Sequence, residues 1–144
     1  MNESYEDSTL VLVAHGSRQN ADSCAPALQH ATALRRRGLF AEVSVAFCQQ
    51  APFIREVLPR LSSRRVFVVP LFIGEGLHAT EDIPALLGEA VEVVRARRQR
   101  GEWPWRNPTE KQGKWVWYTP SIGSEPHLPD VILERVREST RGLI

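Results

Sequence analysis

Val66-Phe67-Val68-Val69-Pro70-Leu71-Phe72-Ile73-Gly74-Glu75-Gly76-Leu77-His78-Ala79-Thr80-Glu81-Asp82-Ile83-Pro84 is the stretch from which the fold can be read. Its first eight residues are apolar, enough for a strand buried on both faces and too few to span a bilayer. Gly74 and Gly76 break the run and let the chain turn. His78 sits in that turn. Thr80 is placed to cap a helix, with Glu81 and Asp82 in its first turn, where the dipole favours acids. The order is strand, glycine loop with a histidine, helix. The same order occurs near the N-terminus, where Leu10 to Ala14 runs into His15-Gly16-Ser17-Arg18.

Working outward, strands are expected at Thr9–Ala14, Ala41–Phe47, Val66–Ile73 and Trp115–Thr119. Helices alternate with them. The first lies between Asn20 and Arg37, with Ala21, Cys24, Ala25, Leu28, Ala31 and Leu34 at helical spacing and Gly38 as its stop. The second starts near Pro52 and turns Phe53, Ile54, Val57, Leu58 and Leu61 inward, with Pro59 bending or ending it. The third runs from about Thr80 to Arg98. The last begins near Ser124 or Glu125 and buries Leu128, Val131, Ile132 and Val136. This alternation predicts an α/β fold: a doubly wound, four-stranded parallel sheet of order 2-1-3-4 with helices on both faces. In that order strands one and three are neighbours, and the switch point where such sheets bind ligands lies between their carboxyl ends. His15 and His78 follow those two ends, and adjacent strands are only ~4.8 Å apart.

The chain has 144 residues, one domain's worth, and a net charge of +1, so no overall field directs it to nucleic acid or a membrane. Residues 1–8 read as a flexible tail and 9–144 as a single domain. Met1 to Ser8 is polar and acidic and lacks the pattern of a secretion signal. Cys24 and Cys48 form no CxxC and read as reduced thiols of a cytoplasmic protein. The polar segment at about 99–114, with Pro104, Pro108 and Gly113, is long for a connector. It is expected to be a mobile loop, with Trp103 or Trp105 free to close over a ligand.

Two neutral imidazoles facing one crevice suit a divalent metal or a proton transfer. The residues alone leave equally open a His15 bonded to loop backbone and a His78 facing water. The N–H groups of Gly16 and Ser17 could hold an anion, or simply make a turn and cap a helix. Arg18 could meet a carboxylate, Gly74 and Gly76 could admit a flat ligand, and Glu75 could exchange protons with the histidines; solvation and turn-making explain these three features as well. Cys48 reads as a small apolar group rather than a ligand. The arginines ending helix three, with Trp103 and Trp105 after them, could bind single-stranded nucleic acid; near-zero net charge favours a solvated helix end.

The motifs LVLVAHGSR, VSVAF, VFVVPLFIGEGLHATEDIP and IGSEPHLPDVILERV resemble the CbiX/SirB family of sirohydrochlorin chelatases, over about residues 9–98 and 115–140. The resemblance implies a chelatase-like fold. It implies a lyase that inserts Co²⁺, Fe²⁺ or Ni²⁺, as substrate, into sirohydrochlorin or a related tetrapyrrole for cobalamin or sirohaem synthesis, with no organic cofactor. It matches His15 and His78 to the family's metal-site histidines and implies a homodimer of short chains. Gly16, Ser17, Arg18, Gly74, Glu75 and Gly76 would contact the tetrapyrrole. Many relatives carry an acidic residue after the AF of strand two, where this chain has Cys48-Gln49-Gln50. A non-catalytic metal or tetrapyrrole carrier with the same pocket is the alternative, and turnover separates the two.

Overall fold

A computed structural model describes residues 4–143. Its strands are β1 (Ser8–Ala14), β2 (Glu42–Phe47), β3 (Arg65–Pro70), β4 (Thr109–Lys111) and β5 (Lys114–Tyr118), joined in one sheet of order β2-β1-β3-β5-β4. The first four of that order are parallel and reproduce the expected 2-1-3-4 arrangement, with Leu12 opposite both Val45 and Val69. The strand count is corrected from four to five. β4 pairs antiparallel with β5 inside the segment expected to be a loop. Gln112 and Gly113 both have positive φ (53° and 77°), the backbone of a two-residue hairpin turn whose twist matches its strands.

The rest of that segment is not a lid. Trp105 is 2% exposed and its Nε1–H donates to the Val116 carbonyl at 2.9 Å. The Trp103 Nε1–H donates to the Tyr118 carbonyl at 2.9 Å, and its ring stacks on Tyr118. The Asn107 side chain accepts the Tyr118 N–H (2.7 Å) and donates back to its carbonyl (3.0 Å). These bonds satisfy backbone groups of β5, and residues 103–105 pack against the core while 99–102 and 106–108 stay exposed. In the tail, residues 1–3 lie outside the described residues, as does 144. Tyr5 stacks on Phe40, Asp7 pairs with Arg65 at 3.1 Å, and Ser8 already belongs to β1.

The helices are α1 (Ala25–Arg37), α2 (Ile54–Val57), α3 (Ile83–Leu86), α4 (Val91–Gln99) and α5 (Leu128–Thr140). A tight 3-10 turn at Ala21–Cys24 precedes α1, its first free N–H taken by the Asn20 side chain, and Gly38 ends α1 with φ 65°. Pro59 ends α2 as expected, leaving a 3-10 turn at Leu58–Arg60. The single third helix of the sequence reading is three pieces: a wide π-type turn at His78–Asp82, then α3, then a break at Gly88 (φ 109°) before α4.

One sheet face carries the main core. Val11, Val13, Val66, Val68, Val116 and Tyr118 point into it from the strands and meet Ile54, Leu58, Ile83, Leu87 and Trp105. The other face has a smaller cluster under α1, built on Leu10, Leu12, Ala31 and Val43. Three expected burials fail. Phe53 and Leu28 are partly exposed, because α2 is a single turn and because α1 packs through Ala27 and Ala31. Val131, Ile132, Leu133 and Val136 on the apolar side of α5 are exposed, since α5 docks on neither face.

Candidate functional site

β1 and β3 are adjacent, so the segments leaving their carboxyl ends arrive together. His15 follows β1 directly; His78 opens the π-type turn after the glycine loop. Their ring centroids are 4.8 Å apart and their planes lie at 75°. The His15 Nδ1 is 3.0 Å from the Gly16 carbonyl oxygen, and the His78 Nδ1 is 2.8 Å from Asp82 Oδ2. Both partners are acceptors, so each Nδ1 carries the proton and donates it. Each Nε2 of a neutral ring is then left with its lone pair, the arrangement in which a second group orients a metal-binding imidazole.

A cleft of about 630 Å³ opens beside this pair, lined by Arg18, Cys48, Gln49, Arg55, His78 and Asp82. Two guanidinium groups and an imidazole thus face one volume. A smaller hollow of about 280 Å³ continues it along Phe53 and Leu86. His15 lines a neighbouring groove of about 330 Å³ with Phe72 and Ile122. The two adjacent rings thus belong to neighbouring openings, His78 to the cleft and His15 to the groove.

The other residues singled out in the sequence divide into two groups. Arg18 lies in the cleft. Gly74 and Gly76 are exposed, neither is in the left-handed region, and a Cβ on either would meet nothing within 4 Å. Gly16 and Ser17, in contrast, are held by the protein itself. Gly16 has φ 69°, a Cβ there would press on Gln50 Cγ at 2.8 Å, and the Ser17 N–H donates to Gln50 Oε1 at 2.8 Å. The Ser17 hydroxyl accepts the Gln19 and Asn20 N–H groups. The Glu75 carboxylate accepts the Ser121 N–H, which ties the glycine loop to the end of β5. Gly123 closes the same junction: its N–H donates to the Phe72 carbonyl, and a Cβ there would fall on the Ile73 carbonyl oxygen.

Sequence reasoning read Asp82 as a helix-dipole residue and missed its place beside His78. The spacing of four residues between them was the available signal. Arg55 had no signal, because its position depends on α2 ending after one turn. The arginines at the end of α4 are not a free cationic stripe. Arg95 and Arg98 both clasp Glu81 at 2.7 Å, and the Arg95 hydrogen bond leads in holding that carboxyl below its usual range. Arg97 pairs with Glu89 and Arg100 with Glu102.

Burial, and secondarily the charge of Asp82, pushes the Cys48 thiol up to about 11. The thiolate is the reactive form. Alkylation of Cys48 by iodoacetamide is therefore expected to stay slow at pH 7 and to climb steadily up to about pH 11. Peptide mapping of the labelled protein reads this directly, and fast labelling at pH 7 would contradict it.

The family model CbiX matches residues 9–139. A Halobacterium salinarum protein named "Probable sirohydrochlorin cobaltochelatase" is 32% identical over 151 aligned residues, which cover 95% of this chain and 49% of that protein. A Methanopyrus kandleri protein named sirohydrochlorin cobaltochelatase is 25% identical, over 90% of this chain and 95% of its own length. A multi-domain protein of Deinococcus radiodurans, described as structurally similar to chelatases with two additional novel domains, aligns with a TM-score of 0.75 at 30% identity. That alignment covers 91% of this chain and 28% of the Deinococcus protein. This chain thus spans about half the length of the Halobacterium relative.

Proposed function

This chain belongs to the CbiX family, and from that membership we propose that it is a chelatase, formally a lyase, inserting Co²⁺ into sirohydrochlorin. Fe²⁺ or Ni²⁺ and a related tetrapyrrole fall within the same reading, which places the product in cobalamin or sirohaem synthesis. Residues 9–144 act as one domain, cytoplasmic and paired as a homodimer. The observation that carries the chemistry is the histidine pair, two imidazoles 4.8 Å apart with both Nδ1 atoms engaged and both Nε2 lone pairs available.

Insertion requires a metal stripped of water and a macrocycle relieved of two pyrrole protons. His15 and His78 hold the incoming ion through Nε2. The remaining coordination positions belong to water and then to the pyrrole nitrogens. Once the metal has passed, the same Nε2 atoms accept the displaced protons. Asp82 keeps the His78 ring oriented by accepting its Nδ1–H. Arg18 and Arg55 face the cleft where the carboxylates of the substrate's rim would meet them. Gly74 and Gly76 form an open floor, and Glu75 fixes the loop that carries them. The part of Gly16 and Ser17 is to shape the turn that aims His15.

The test is an anaerobic assay in which purified protein receives sirohydrochlorin with Co²⁺, Fe²⁺ or Ni²⁺ and the visible spectrum is followed. A rate well above the spontaneous reaction with Co²⁺ is expected. Binding of the tetrapyrrole with no acceleration by any metal would make the protein a carrier. The floor is tested separately. Gly74→Ala and Gly76→Ala should leave stability within about 0.5 kcal/mol, since the added methyl meets nothing. The same variants should raise the KM for sirohydrochlorin several-fold, because a methyl lifts a flat ring off the backbone. An unchanged KM in both would remove these glycines from the substrate site.

A further inference from the structure

The two histidines are oriented by different means. The Nδ1–H of His78 is held by a carboxylate of its own turn, Asp82, at 2.8 Å. His15 has a backbone carbonyl instead, that of Gly16, at 3.0 Å. A carbonyl holds an imidazole in one tautomer only if its own peptide is fixed. This peptide follows a glycine, the residue with the widest choice of backbone conformations. Its fixation has to come from outside the turn.

The segment after β2 supplies it. That segment runs beside the loop after β1 and extends the pairing of the two strands. The Cys48 N–H donates to the Ala14 carbonyl at 3.1 Å, and the Gln49 N–H to the His15 carbonyl at 2.9 Å. At the next step a side chain takes over from the backbone. Gln50 Oε1 accepts the Ser17 N–H at 2.8 Å and the Ser23 hydroxyl at 3.2 Å. A backbone N–H can only donate, so it is the amide oxygen of Gln50 that faces Ser17. The Ser17 N–H and the Gly16 carbonyl are the two ends of one planar peptide unit. A continuous line of hydrogen bonds therefore runs from Gln50 Oε1, through that peptide, to the Nδ1–H of His15. Gly16 makes room for it: its φ is 69°, and a Cβ there would stand 2.8 Å from Gln50 Cγ.

We propose that Gln50 is a positioning residue for His15, acting through the Gly16–Ser17 peptide to hold the ring as its Nδ1–H tautomer with Nε2 free for a metal. Linked hydrogen bonds polarise one another. An acceptor on the N–H end of the peptide makes its carbonyl end a better acceptor. A ring whose Nδ1–H is well held is in turn a better electron-pair donor at Nε2. The requirement is an acceptor oxygen at the end of side chain 50. Glutamate carries one at the same place; methionine has the length but only a weak sulfur acceptor. The inference rests on the proposed reading of His15 as a metal-binding group and adds the residue that orients it. The tautomer itself is read with no metal or tetrapyrrole present.

Imidazole ¹⁵N NMR of the intact, metal-free chain tests it, at about pH 9, above the ordinary imidazole range. His15 of the wild type should be mainly the Nδ1–H form. Gln50→Met should move it toward the Nε2–H form and leave His78 unchanged, because Asp82 holds that ring. Gln50→Asn, whose oxygen sits one methylene short, should do the same and serves if the methionine variant does not fold. Gln50→Glu should restore the wild-type tautomer. Co²⁺ titrated alone should bind Gln50→Met about tenfold or more weakly than the wild type or Gln50→Glu. In the insertion assay Gln50→Met should lose kcat and keep its KM for sirohydrochlorin, a split that a merely loosened fold would not give. A wild-type His15 in the Nε2–H form would overturn the proposal before any variant is made. Folded Gln50→Met or Gln50→Asn with the wild-type tautomer would overturn it too, as would a Gln50→Glu that behaves like Gln50→Met. A wild type that binds no Co²⁺ would sink the metal-site reading instead, while the tautomers still decide the role of Gln50.

Discussion

His15→Ala and His78→Ala are each expected to lose cobalt insertion by about 10²-fold or more, while both proteins remain folded. Proton transfer by a positioned side chain is commonly worth ~10²–10⁴-fold, and these residues act in metal binding as well. Both rings are exposed, so truncation removes no core packing and the melting temperature should barely move. The double variant should be little worse than either single one, because two ligands of one ion act as a unit. Zn²⁺ should compete for the same nitrogens and inhibit. His127→Ala is the control, on an exposed turn away from the pair. Wild-type rates in both His15→Ala and His78→Ala would sink the metal-site assignment.

The largest effect on stability is expected at Trp105, far from the histidines. Trp105→Ala should cost about 3–5 kcal/mol, the range for emptying the site of a large buried aromatic. The loss has two sources. The indole packs among β5 and the main core, and its N–H satisfies the Val116 carbonyl on a strand with no further parallel neighbour. Against a total stability of ~5–15 kcal/mol this is a large fraction, and the melting point should fall by on the order of 10 °C. Trp115→Ala, on β5 but half exposed, should cost much less. Urea titration of the three proteins decides it. Equal midpoints for Trp105→Ala and the wild type would mean that residues 103–105 are not part of the core.

The parallel order of strands β2, β1, β3 and β5 and the convergence of His15 and His78 were legible in the sequence. Both follow from local rules. Apolar runs of strand length alternate with helical patterns, crossovers have one hand, and residues leaving neighbouring parallel strands must come out side by side. Glycine is legible to the same extent at Gly38, which stops a helix wherever the helix lies.

What only the tertiary structure decided is where non-local partners stand. Segment 99–114 is polar and rich in breakers, so it read as a loop. It packs because Trp103, Trp105 and Asn107 find open carbonyl and N–H groups on β5, a strand that comes later in the chain. Ser17 offered a free N–H until Gln50, 33 residues away, took it. Asp82 was an acid at a helix start until a π-type turn set it against His78. The periodicity of α5 called for burial, and the fold instead leaves Val131, Ile132 and Val136 exposed, because a hydrophobic pattern carries no information on where the chain is released. Whether the face is covered depends on the direction in which the Gly123 junction releases the chain, and that direction is a property of the packed fold.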